Sequence, residues 1–127
     1  MDPKLQEFVE EVIQTVVGLD VALFFQANPR TFDTAAGLAL RIHRNVDDVA
    51  EVLQRMAAHG DLEAFDRGDG RYTCYALPKD ARVWMLLCRL SEAFLDRSES
   101  RKEIVKLLVR RAAARRDVGG PGKEGGS

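Results

Sequence analysis

The sequence predicts a mainly α-helical chain that carries one small β-hairpin. Three observations lead there. Apolar residues recur at steps of three and four over most of the 127 residues. That period gives way after Gly60 to two short aromatic-containing runs, 62–66 and 72–76. Between those runs, Gly68-Asp69-Gly70 supplies residues that tolerate a positive φ, as a hairpin turn requires.

The elements follow in order. From Pro3 to Val17, Leu5, Phe8, Val9, Val12, Ile13, Val16 and Val17 fall on one helical face, with Glu7, Glu10, Glu11 and Gln14 opposite. Gly18 stands where a left-handed C-terminal cap is expected. A short second helix, Leu19 to Gln26, ends at Asn28-Pro29, because proline disfavours helical geometry in the residue before it. After a loop through Arg30 and Phe32, Asp33 or Thr34 can cap a third helix that buries Ala36, Leu38, Ala39 and Ile42. Arg41, His43 and Arg44 place positive charge at its C-terminal end. Asn45 caps a fourth helix with Val46, Val49, Ala50, Leu53, Met56 and Ala57 inward, and Gly60 ends it. After Pro78 the residues Val83, Trp84, Leu86, Leu87, Leu90, Phe94 and Leu95 predict a helix covered on more than one side. The spacing of Ser100 and Glu103 is that of a capping box, so a last helix is expected to start near Arg101. It runs through Ile104, Val105, Leu107 and Leu108 to Arg116, and GGPGKEGGS, with no hydrophobe to offset the entropy of ordering it, is expected to be a flexible tail.

Composition narrows the function. Lys and Arg together number 19 against 20 Asp and Glu, so the chain has no global basic footprint to steer it toward phosphate. Cys74 and Cys88 stand apart without a paired spacing and read as two small buried hydrophobes. His43 and His59 have no third ligand or nucleophile at a recognisable spacing. No catalytic residue, cofactor or metal site is therefore expected. No apolar run reaches the roughly 20 residues of a membrane span, and MDPKLQEFVEE carries acids where a signal peptide carries bases, which predicts a cytoplasmic protein without a membrane partner.

The order helix, helix, tight turn, helix, hairpin is that of a winged helix-turn-helix with flanking N- and C-terminal helices. The stretch TAAGLALRIHRNVDDVAEVLQRMAAHGDLEAFDRGDGRYTCYAL resembles bacterial regulators of the arsenical-resistance-repressor and multiple-antibiotic-resistance-repressor types. A short Ala/Leu-rich helix precedes the turn, the next helix ends L-x-x-M-x-x-x-G-x-L, and the wing reads D-G-R-Y. The likeness covers roughly Leu19 to Leu77 and divides the chain into an N-terminal helix (1–18), a winged-helix domain (19–78), C-terminal helices (79–117) and a tail (118–127). The paired cysteines of the metal-sensing repressors are absent from the helix before the turn.

The resemblance implies a homodimeric transcriptional regulator that binds double-stranded DNA, with an unidentified effector or protein partner as a further expectation. Asn45 to His59 would enter the major groove and Arg67 to Arg71 would follow the backbone or minor groove beside it. The candidate DNA contacts are Arg41, His43, Arg44, Asn45, Gln54, Arg55, Arg67 and Arg71. Candidate dimer contacts are Leu5, Phe8, Val12, Trp84, Leu87, Phe94 and Leu108, with packing inside the chain's own domain an equal alternative. One departure favours a different use of the same fold. Asp47, Asp48 and Glu51 fall on the exposed side of the expected recognition helix, where they would meet phosphates with like charge. The alternative is a winged-helix interaction module that holds a protein and binds no DNA.

Overall fold

The computed structural model describes residues 2–66, 72–96 and 98–126, with side chains as far as Ala114 in the last helix. The chain is mainly helical, with a small three-stranded antiparallel sheet among the described residues. No described helix is long and apolar enough to cross a membrane.

The N-terminal stripe does not form one helix. Helix α1 (Pro3–Phe8) starts on Asp2, whose carboxylate accepts from the Lys4 N–H at 3.0 Å, with proline in the first turn where no N–H is missed. It passes into a π-helical turn, Val9–Ile13, closed by Gln14 N–H donating to the Val9 carbonyl at 2.8 Å. The chain then reverses at Gln14, with φ at 60°, and Thr15 caps α2 (Val16–Ala27) by accepting from Gly18 N–H at 2.9 Å. A competing cap at Thr15 therefore interrupts the long helix that periodicity alone predicts. Gly18 lies inside α2 rather than at a C-terminal cap, and a Cβ there would run into the Ile13 carbonyl. Its role is close backbone approach.

Helix α2 buries Leu19, Val21, Ala22 and Phe25 and ends at Asn28, whose backbone and side-chain nitrogens both donate to the Phe24 carbonyl. Strand β1 (Asp33–Thr34) occupies the two positions that the sequence offers as a helix cap, too short to show a period of two. Thr34 also caps α3 (Ala35–Ile42), which turns through His43 in the left-handed region. Asn45 then caps α4 (Val46–Ala58), its side-chain oxygen accepting from Asp47 and Asp48 N–H at 2.8 and 3.3 Å. Val49, Val52, Leu53 and Met56 point inward; Val46, expected inward, is 42% exposed because it sits in the first turn, beyond the packed stripe. Gly60, with φ at 80°, lets Asp61 and Leu62 N–H return to the Met56 carbonyl and close the helix.

Strands β2 (Glu63–Phe65) and β3 (Cys74–Ala76) form the expected hairpin, and β1 adds to its other side in the order β1-β3-β2. Tyr75 on the central strand pairs with Asp33 and Ala64 and is buried. The hairpin tip, with Arg67 and Arg71, lies outside the described residues.

Helix α5 (Ala81–Ser91) is followed by a second π-helical turn (Glu92–Asp96) and by α6 (Ser98–Gly126). Ser100 and Glu103 lie within α6, since a separation of three is also an ordinary same-face pair inside a helix. The helix continues to Gly126 through the segment expected as a tail, and nothing in the structure explains why that Gly-rich stretch keeps helical geometry. Ile13, Phe25, Leu38, Leu53, Met56, Leu87, Leu90 and Ile104 form one core that joins the flanking helices to the α2–α4 unit.

That core corrects most of the expected dimer contacts. Leu5, Phe8, Val12, Leu87 and Leu108 are buried within the chain itself, because α1, its π turn, α5 and α6 supply one another with the partner surface the stripes require. Trp84 remains 39% exposed and Phe94 half-buried.

Candidate nucleic-acid interface

Of the candidate residues, Arg41, His43, Arg44, Asn45 and Gln54 lie at the α3 end, the following turn and the outer face of α4. His43 takes the left-handed position that ends α3, its N–H donating to the Ala39 carbonyl, and Arg44 N–H reaches the same carbonyl at 3.1 Å. Asn45 is exposed, but its side-chain oxygen is committed to the α4 cap. Gln54 is exposed on the outer face of α4.

The arginines are engaged within the chain. The Arg41 guanidinium lies 3.5 Å from the Asp33 carboxylate. Arg44 Nε donates to Asp20 at 2.6 Å, tying the turn to α2. Arg55, expected at the duplex, faces the other way. Its side chain is only 15% exposed; Nε donates to the Val12 carbonyl at 2.8 Å, and a terminal nitrogen donates to the Ile13 carbonyl at 3.2 Å. The π turn ends at Ile13, and the last carbonyls of any helix lack intrahelical donors. Arg55 supplies donors from α4 and is therefore a structural clamp rather than a base or phosphate contact. Periodicity could not reveal this, because the carbonyls it meets exist only where the first helix breaks.

Asp47, Asp48 and Glu51 are exposed on the outer face of α4, with Glu51 3.7 Å from Arg55. Asp47 and Asp48 complement the positive end of the helix dipole. Arg55 is the one cation that α4 contains, so the outward side of this helix is acidic. Arg67 and Arg71 lie outside the described residues.

Elsewhere, Cys74 on β3 and Cys88 on α5 are unbonded and half-buried, more open than the sequence reading expects. Among the described residues no cluster of His, Cys, Asp and Glu could hold a metal ion. Phe24 and Phe25 meet edge-to-face at 6.4 Å, with Phe25 fully buried in the core. Burial raises the Tyr75 hydroxyl pKa, with Asp66 adding to the effect. Sequence reasoning missed two features near the hairpin. Phe32, just before β1, and Phe65 on β2 meet with ring centroids 5.3 Å apart and planes tilted by 54°, both partly exposed. Asp61, directly after the α4 cap, is a buried carboxyl whose pKa is raised by desolvation, opposed by the charges of Arg82 and His59.

Comparison with known proteins finds no matching family model, no matching curated protein and no matching solved structure.

Proposed function

We propose that the chain is a winged helix-turn-helix domain that uses its α3–turn–α4 edge to hold a basic segment of a protein partner. One observation carries this reading. The outer face of α4 presents Asp47, Asp48 and Glu51, while the helix's single cation is folded back onto the Val12 and Ile13 carbonyls. A duplex brought to that face would meet like charge and lose counterion release, the main source of affinity for nucleic acid. A Lys- or Arg-bearing segment would meet complementary charge.

A second reading, the homodimeric DNA-binding regulator, is favoured by a specific arrangement: the α3–turn–α4 pair joined to the β1-β3-β2 sheet, with Arg41, His43 and Arg44 exposed at one corner. In that reading Arg41 and Arg44 would exchange Asp33 and Asp20 for phosphates. A homodimer in either reading would use Trp84, Leu95, Val105 and Val109, apolar residues exposed on α5, its π turn and α6.

Fluorescence anisotropy of a labelled random duplex, begun at low salt, separates the two. The protein-partner reading expects no saturable binding. Binding that weakens steeply as salt rises overturns it in favour of DNA, because a regulator retains non-specific affinity through phosphate contacts.

A further inference from the structure

A groove of about 600 Å³ runs between the α1 segment and α5, reaching the end of α4. This is within the range of about 300–1,000 Å³ typical of small-molecule sites. Phe8, Val12, Met85 and Leu86 give it an apolar lining. One wall includes the π-helical turn Val9–Ile13, a local widening of the helix that recurs at functional sites.

The polar groups of the groove are unevenly satisfied. Arg89 donates to Asp2, an acid that does not line the groove, at 2.8 Å, whereas Arg82 lies 3.5 Å from Asp80 and also acts by its charge on Asp61. Glu7, Glu11 and Asp61 line it as well, against Lys4 and His59. Asp61 is only 3% exposed. Its backbone N–H is used by the Met56 carbonyl at 2.8 Å, yet among the described residues its carboxylate has no hydrogen-bond donor and no ion pair in direct contact, only the more distant charges of Arg82 and His59. A buried carboxylate without a donor is costly, and the cost is relieved when a donor arrives. The opening through which one can arrive is the groove.

We propose that this groove binds an amphipathic organic cation, with its ammonium or guanidinium head on Asp61 and its apolar body against Phe8, Val12, Met85 and Leu86. Glu7 and Glu11 add favourable charge at the rim. An anionic ligand would face the same three carboxylates, with Arg89 already held by Asp2. The proposal is independent of whether α4 meets a protein or a duplex.

The test is calorimetric titration of the full chain with tryptamine, phenethylamine and hexylamine, with indole-3-propionate as the anionic counterpart of the first. At least one amine is expected to bind saturably at one site, with indole-3-propionate showing no binding. Asp61→Asn is expected to weaken the amine about ten-fold or more, the loss of one charge-assisted contact. Met85→Gln changes the lining at a solvent-exposed position and provides a second variant, expected to weaken the same amine if Asp61→Asn does not fold. Failure of all three amines, equal binding by indole-3-propionate, or unchanged affinity in a folded Asp61→Asn or Met85→Gln variant overturns the proposal. A Lys-rich peptide that saturates the groove where no amine does also overturns it, and assigns the groove to a protein partner.

Discussion

Replacing Arg55 by methionine keeps much of the apolar stem and removes the guanidinium that holds the Val12 and Ile13 carbonyls. The shorter contact, 2.8 Å to Val12, is a good charge-assisted hydrogen bond; the 3.2 Å contact to Ile13 is weaker, and that carbonyl also accepts from Thr15 N–H at 2.6 Å. A hydrogen bond to a charged group contributes about 1.5–3 kcal/mol. Counting the first fully, and the second at a small fraction because Ile13 keeps a partner, gives a loss of about 2–3 kcal/mol. The Glu51 contact, at 3.7 Å with Glu51 largely exposed, adds little. For a domain of this size that loss corresponds to a fall in Tm of about 6–12 °C. Urea unfolding followed by circular dichroism reads it as a lower midpoint at unchanged slope. Stability within about 0.5 kcal/mol of wild type, the usual range for an unconstrained surface position, would refute the clamp and return Arg55 to the list of residues available for binding.

Gly18→Ala reverses the usual helix-propensity gain. Alanine normally favours a helix interior by about 1 kcal/mol, but here its Cβ meets the Ile13 carbonyl, so a net destabilisation of about 1–3 kcal/mol is expected by chemical denaturation. Asn45→Ala removes the α4 cap and should cost about 1 kcal/mol in the same assay. Arg44→Gln breaks a half-exposed pair with Asp20 and should cost under about 1 kcal/mol, leaving the variant suitable for binding studies. Burial raises the folded-state pKa of Asp61 above its unfolded value near 3.8, so the native state holds this proton more tightly. Its contribution to stability is therefore full below the unfolded value and is lost as pH rises through the folded one. Asp61→Asn should remove this pH-dependent loss, read as the difference between wild-type and variant urea midpoints across the acidic range.

The sequence made most helical segments, the caps at Asn45 and at one of Asp33 and Thr34, the Gly60 stop and the hairpin legible, because each rests on a local signal: a period, a side-chain oxygen before an amide, or a positive φ. The break at Gln14 was not legible. It depends on a contest between a continuous apolar stripe and the Thr15 cap that packing of the reversed chain decides. Two further differences follow from that break. Gly18 lies inside a helix instead of at its cap, and Arg55, by spacing a candidate DNA contact, reaches a carbonyl 43 residues earlier. The apolar stripes of α1, α5 and α6 were correctly seen to need partners, but periodicity cannot say whether a partner comes from the same chain. The acidic side of α4 was fully legible, since helical spacing alone places Asp47, Asp48 and Glu51 away from Val49 and Leu53.

The central claim, that the outer face of α4 receives positive charge, is tested most directly by following backbone amide shifts of the labelled full chain. One titrant is a Lys- and Arg-rich peptide and the other a random duplex, both at low salt. The account predicts that the peptide shifts the amides of Asp47, Asp48, Glu51 and Gln54 in a saturable way while the duplex leaves them in place. Shifts of those amides by the duplex, attenuated as salt rises and lost in Arg41→Gln and Arg44→Gln variants, would contradict it.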